Sequence, residues 1–168
     1  MDQRKRVVLS YLRSVIAKDL YYHVGLPNLK PGDIIKPSSL YTLEKNWPDN
    51  EGQEKFLEDI RNSEFPSRPS RIGSVYVSDT KEEAKYWAEK IAKRWSSSFY
   101  EVSVSGILKK GTFDASHLRE MRNLLKSDKI EEAKDIARDY WKSFNKSIIK
   151  GSETIINGGK VYVVKEME

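Results

Sequence analysis

Residues 66–95, PSRPSRIGSVYVSDTKEEAKYWAEKIAKRW, leave the chain few choices. Pro66 and Pro69 fix φ and lack an amide donor, which excludes residues 66–71 from regular helix and from central strand. Residues 72–78 are rich in β-branched and aromatic side chains and read as a strand. Asp79-Thr80 then caps a helix whose first turn holds Glu82 and Glu83, where the helix dipole favours anions. Ala84, Trp87, Ala88, Ile91, Ala92 and Trp95 recur at helical spacing and predict one apolar face. A strand carrying Tyr76 thus runs through a tight turn into a helix carrying Trp87, and the two aromatics are expected to face one cleft.

The rest of the chain follows a similar short-element rhythm. Residues 3–19 pattern as an amphipathic helix, with Val7, Val8, Tyr11, Leu12, Val15 and Ile16 on one face and Arg4, Lys5, Arg6, Arg13 and Lys18 around it. It is either a helix docked on the domain with a solvated basic face or a contact arm for nucleic acid or a partner protein. Residues 20–24 read as a strand carrying His23 and ended by Gly25; Pro31-Gly32 makes a turn, and Ile34-Ile35 an extended piece. Residues 36–53 read as loop, with Trp47 covering the core or a pocket, and residues 54–63 as a short helix. Arg68 and Arg71 either anchor a phosphate or decorate a surface turn.

Residues 99–107 alternate as a strand, Lys109-Lys110-Gly111 is expected to turn, and Thr112-Phe113 to make a brief strand. Ser116 is expected to cap one helix, and a second follows Asp128 with Ile130, Ala133, Ala137, Tyr140, Trp141 and Phe144 on its packed face. The end reads as a β-hairpin turning at Asn157-Gly158-Gly159. Glu153 enters its first strand, either at the rim of a cleft or exposed on an edge. Strands outnumber helices and are not in βαβ order, which predicts an α+β fold with antiparallel sheets. No glycine-rich loop opens a helix, so dinucleotide-fold and phosphate-loop readings fail.

Composition narrows the function classes. At 168 residues the chain suits one domain, taken as residues 20–168, with residues 1–19 as an appended helix. The net charge of +5 leans towards an anionic partner. With no cysteine and only His23 and His117, neither a thiolate nor a histidine-rich metal site is expected. No apolar run is long enough to span a membrane, and the basic N-terminus lacks the apolar run of a signal peptide, so a cytoplasmic location without membrane partners is expected.

A His in an early strand, a Tyr in a middle strand with an aromatic on the next helix, and a Glu starting a late strand resemble the His-Tyr-Glu signature of ADP-ribosyltransferases. Tyr22-His23-Val24-Gly25 followed by Leu29-Lys30-Pro31-Gly32-Asp33 resembles the first strand and turn of the rifampin-modifying branch, although that branch has Gly where Val24 stands. Tyr76-Val77-Ser78-Asp79-Thr80 with Tyr86 and Trp87 is similar to the tyrosine strand and helix of the diphtheria-toxin-like branch, and Ser152-Glu153-Thr154-Ile155-Ile156 to the glutamate strand. A closer resemblance is to an uncharacterised, mainly bacterial domain family with Tyr-His-Val, Pro-Ser-Arg, Tyr-Val-Ser, Ala-x-x-Trp-Ala and Tyr-Trp segments and a glutamate hairpin, over residues 20–165. That family is itself a distant look-alike of the transferases, so fold transfers better than activity.

The resemblance implies a split antiparallel β-sandwich with flanking helices and NAD as substrate. It makes Glu153 the catalytic carboxylate that holds the ribose and stabilises its developing positive charge, as a carboxylate does in glycoside cleavage. His23 would hydrogen-bond the adenosine-side ribose, the main chain at Val24 and Gly25 would grip the nicotinamide amide, and Tyr76 and Trp87 would flank its cationic ring. Arg68 or Arg71 would take the pyrophosphate. Position 151 is Gly, where arginine-modifying relatives carry a second Glu, so arginine is a poor acceptor. The basic balance favours nucleic acid, single-stranded RNA or DNA, over protein as the macromolecular acceptor. By analogy such an enzyme acts as a toxin or phage-defence effector, which would bring an inhibitory, antitoxin-like partner. The alternatives are a catalytically inactive nucleotide- or nucleic-acid-binding module, an NAD glycohydrolase, and a partner-binding domain working through its N-terminal helix.

Overall fold

A computed structural model describes residue 6 and residues 20–46, 52–106, 109–146 and 150–168. Of the helix expected over residues 3–19 only residue 6 is described, as helical; the remainder and Trp47 lie outside the described residues. Two antiparallel sheets and five helices among the described residues make the chain α+β. It divides into two compact units, the first built from residues 1–36, 76–107 and 159–168 and the second from residues 37–75 and 108–158.

The first unit holds β1 (Leu20–Gly25) and β2 (Ile34–Ile35), and further along the chain β4 (Ser98–Ser105) and β7 (Lys160–Glu166), in one antiparallel sheet of order β1-β4-β7-β2. Tyr100, Val102 and Val104 of the central β4 recur with the strand period of two, and all three are buried with Tyr21, Val161 and Val163. The helix α3 (Lys81–Ala92) belongs to the same unit. It starts as its sequence dictates: the Thr80 hydroxyl accepts from the Glu83 amide at 3.2 Å, with Glu82 and Glu83 in the first turn. Its apolar face is narrower than expected. Ala84 is fully buried, Trp87, Ala88 and Ile91 are half-buried, Ala92 is exposed, and the helix stops short of Trp95. Helical spacing sets the direction in which a helix buries its side chains, not the width of the buried stripe.

The second unit holds α1 (Leu40–Asn46), α2 (Gln53–Glu64), β5 (Lys109–Asp114), α4 (Ser116–Lys126), α5 (Ile130–Lys142) and β6 (Ser152–Asn157), with Ser74 and Val75 of β3 (Ser74–Val77). The sheet order is β3-β6-β5. Leu57, Phe113, Met121, Ala133, Ala137, Tyr140, Trp141 and Ile155 are completely buried. Phe113 is the hub: its ring stacks on Tyr140 at 5.0 Å, meets Trp141 edge-on at 5.2 Å and lies 5.6 Å from Phe144. The Trp141 indole donates to the Leu57 carbonyl at 3.1 Å, tying α5 to α2.

Several local expectations are corrected. The stretch taken as loop over residues 36–53 contains α1, and the Ser39 hydroxyl accepts from the Thr42 amide at 3.1 Å at its start. Lys109-Lys110-Gly111 is strand, not turn. Gly111 is required there by packing, because a Cβ would lie 2.7 Å from the Phe144 ring and 2.8 Å from Phe113. Ser116 is the first residue of α4 and not its cap; its amide is met by Asp114 Oδ1 at 3.0 Å. The strands either side of Gly158-Gly159 do not form a hairpin, since β6 belongs to one sheet and β7 to the other. The Gly-Gly signal marks a chain reversal with positive φ at both residues, which fixes a turn but not the partner of each strand. Glu153 accordingly sits on a central strand, not an edge.

Candidate functional site

The sequence-derived site residues fall into two clusters, one in each unit. In the first unit β1 carries His23, Val24 and Gly25, with Val24 opposite Phe99 and Gly25 opposite Ser98 in the β1–β4 ladder. On its other side β1 is tied to the end of β3: the Tyr22 amide donates to the Ser78 carbonyl at 3.0 Å, and the Ser78 amide to the Tyr22 carbonyl at 2.8 Å. His23 and Tyr76 meet through that tie. His23 Nδ1 lies 2.8 Å from the Tyr76 carbonyl oxygen, which only accepts, so the ring carries its proton on Nδ1. The contact is with the Tyr76 main chain, not its phenol. Burial holds the imidazole below its usual pKa, although the Tyr76 carbonyl pulls the other way.

Gly25 makes room for this ring, because a Cβ there would stand 2.2 Å from His23 Nε2. The loop that follows is pinned by Tyr100. Its hydroxyl donates to the Leu26 carbonyl at 2.7 Å and accepts from the Leu29 amide at 3.1 Å. Tyr76 and Trp87 are both half-buried. On α3 the Trp87 ring meets Tyr86 edge-on at 5.2 Å, and the Lys90 ammonium lies 4.6 Å above Tyr86 and 5.7 Å from Trp87.

In the second unit Glu153 is the second residue of β6, opposite Phe113, and its side chain is 11% exposed. Its Oε1 accepts from the Tyr140 hydroxyl at 2.6 Å and faces Arg71 Nη1. Arg71 Nη1 also donates to the Tyr140 hydroxyl at 2.9 Å, while its Nε and Nη2 grip Glu54 at 2.8 and 3.0 Å. One guanidinium therefore serves two buried carboxylates and a phenol. For Glu54 burial pushes the pKa up, but the charge and hydrogen bonds of Arg71, the Gln53 amide and the field of Arg122 together hold it below its usual value. Tyr140 is pushed up to about 12, by burial first and by Glu54 second, against the pull of Arg71. At neutral pH its hydroxyl is a protonated donor.

Arg68 and Arg71, equivalent positions of the Pro-Ser-Arg repeat, have opposite environments. Arg71 is bound inside by Glu54 and Glu153 and does not offer the surface guanidinium expected of a pyrophosphate anchor. Arg68 is only half-buried and lies over the Phe144 ring at 4.0 Å. The sequence expectations leave Glu54 out of the site and give Tyr140 only as a packed aromatic and part of the Tyr-Trp segment. The available signal was the phenol itself, since a tyrosine on the packed face of α5 needs a partner for its hydroxyl, as tryptophan needs one for its N–H. Among the described residues no group of three or more His, Asp or Glu side chains is placed to hold a metal ion.

A model of a protein family described as being of unknown function, DUF2441, matches residues 44–168. The chain belongs to that family. The DUF2441 match takes in Glu54, Arg68, Arg71, Tyr76, Trp87, Tyr140 and Glu153, and leaves β1 with His23, Val24 and Gly25 outside it. No curated protein matches the chain. Among the described residues no helix is long and apolar enough to cross a membrane.

Proposed function

We propose that this protein is an NAD-dependent ADP-ribosyltransferase acting on a macromolecule, with nucleic acid favoured over protein as acceptor. The reading is supported above all by Glu153: a carboxylate at the start of a buried strand, fixed through Oε1 by Tyr140 and facing a guanidinium. In the reaction the bond from ribose C1′ to the nicotinamide nitrogen breaks, and nicotinamide leaves with the electron pair as a neutral molecule. The acceptor forms the new bond to C1′ and loses a proton. Positive charge builds up on the ribose between these events, and an oriented carboxylate stabilises it. In this reading Glu153 is that carboxylate. His23, with its proton held on Nδ1 by the Tyr76 carbonyl, presents Nε2 as an acceptor for a ribose hydroxyl. Tyr76 and Trp87 supply aromatic surface for the nicotinamide, and the main chain of Val24 and Gly25 hydrogen-bonds its amide.

A second reading, a binding module without activity, is favoured by Glu54. Two carboxylates and a phenol sharing Arg71 also have the makeup of a structural ion network, whose main demand is that no member be lost. One experiment separates the two. Purified protein is incubated with labelled NAD and a mixed cell extract, followed by nuclease or protease digestion, with Glu153→Gln in parallel. Label removed by nuclease, and at least about a hundredfold less of it with the variant, is the expected result. Label removed only by protease would make the acceptor a protein, and free ADP-ribose without labelled macromolecule would make the enzyme a glycohydrolase. Intact NAD with the wild type would sink the enzyme reading.

A further inference from the structure

We propose that Arg68, stacked on Phe144 and accompanied by Lys109, is a binding site for the oxyanion of a phosphodiester or pyrophosphate. This site is separate from the Arg71 cluster and does not depend on Glu153 being catalytic. The guanidinium carbon of Arg68 lies over the Phe144 ring, 4.0 Å from its centroid, a cation–π contact. Gly111 allows Phe144 to take that position, since any Cβ there would strike the ring. Among the described residues no carboxylate pairs with Arg68 and no hydrogen-bond acceptor meets its guanidinium. Its Nε is shut off from water without a partner, while the side chain as a whole is only half-buried. A buried guanidinium donor without an acceptor is an uncompensated charge, and an anion reaching the open edge of the fork offsets it.

Lys109 brings a second cation to the same turn. Its ammonium donates to the Pro66 carbonyl at 3.3 Å, two residues before Arg68, and its side chain is otherwise exposed. A third cation beside the turn, Arg61 of α2, is already neutralised: it holds Glu58 with two bonds of 2.7 and 3.0 Å and braces the turn through the Arg68 carbonyl at 3.0 Å. The turn is thus braced from one side, and among the described residues it brings together two positive charges that no carboxylate pairs, one of them a planar fork. That combination suits the tetrahedral oxygens of phosphate better than a carboxylate, which a single fork would satisfy.

The test uses the full chain with three probes: inorganic pyrophosphate, NAD, and a short fluorescein-labelled oligouridylate, each titrated over a series of salt concentrations. Arg68→Gln is expected to weaken binding about tenfold or more. For the oligouridylate it should also lower the slope of log K against log salt by about 0.7, as should Lys109→Ala, whose exposed site leaves folding intact. Arg68→Lys, which keeps the charge but loses the fork, should restore the slope but not the affinity. Arg119→Gln, an exposed arginine on α4, should change neither. Loss for pyrophosphate and NAD would assign the site to the nucleotide, and loss for the oligouridylate alone to an acceptor strand. Unchanged affinity and slope for all three probes in both Arg68→Gln and Lys109→Ala would overturn the site, whether or not NAD is cleaved.

Discussion

The Tyr140 hydroxyl donates to Glu153 Oε1 at 2.6 Å, with the phenol wholly buried on α5 and the carboxylate on the central strand β6. The bond fixes one carboxylate oxygen and lets Tyr140 mediate between Glu153 and Arg71. Tyr140→Phe keeps the ring and its 5.0 Å stack on Phe113 but removes the donor. It should cost about 1–2 kcal/mol in urea unfolding. In the proposed reaction it should lower kcat with little change in KM for NAD, because the phenol orients the carboxylate without touching substrate. An unchanged unfolding midpoint would show that the bond contributes nothing.

Arg71 carries a pH-dependent part of the stability. Glu54 has its folded pKa held below the ordinary value of 4.5, so the folded state binds its proton less readily than the unfolded chain. That contribution is fully present above about pH 4.5 and is lost as pH falls through the folded value. Arg71→Gln removes the guanidinium from Glu54 and Glu153 together and should cost about 3–5 kcal/mol at neutral pH. At Glu54 burial is then opposed only by the Gln53 amide and the field of Arg122, so its pKa rises and the deficit of the variant should shrink as the pH is lowered towards 4. Unfolding free energies of both proteins across that range check the sign; a deficit that widens in acid would contradict the pairing.

The sequence made the elements legible wherever local chemistry decides them. Thr80 caps α3, β4 alternates, and the apolar spacing of Ala133, Ala137 and Trp141 lays down the packed side of α5. It was silent where a distant partner decides. Gly111 looks like a turn residue until Phe144 arrives over it, and Gly158-Gly159 looks like a hairpin until its two strands are seen in different sheets. The same division runs through the candidate site. His23, Tyr76 and Glu153 stand out as odd residues in otherwise apolar strands. The partners that define their chemistry, a carbonyl of Tyr76, the phenol of Tyr140 and the guanidinium of Arg71, come from positions 53, 13 and 82 residues away, respectively, and no local pattern announces them. Pro-Ser-Arg repeats alone cannot tell an arginine that turns inward from one that lies on a ring.

His23 should titrate below its ordinary midpoint of 6.5, because burial disfavours the imidazolium more than the Tyr76 carbonyl favours it. The neutral ring is the form that folding selects. Its contribution to stability is therefore present above pH 6.5 and lost as pH falls through the folded pKa. Nitrogen-detected NMR of the imidazole should show the Nδ1–H tautomer at neutral pH. An Nε2–H tautomer would remove the hydrogen bond to Tyr76 and with it the acceptor that the proposed function assigns to a ribose hydroxyl.

Gly25 is the companion of that ring, and Gly25→Ala is the sharper test of how it is held. The new methyl would stand 2.2 Å from Nε2 and 2.9 Å from Cδ2, closer than non-bonded atoms approach. Either the ring or the strand end must move. The ring is anchored by its 2.8 Å bond to the Tyr76 carbonyl, and the following loop is pinned by Tyr100 through the Leu26 carbonyl and the Leu29 amide. Strain of this kind costs about 1–3 kcal/mol. The expected outcome is a lower melting temperature together with loss of the fixed Nδ1–H signal and a His23 midpoint that returns towards 6.5, as the displaced ring regains water. A variant of wild-type stability that keeps the tautomer would mean that the strand end yields instead. The Gly25 main chain would then be adaptable, not the rigid element that the proposed contact with the nicotinamide amide requires.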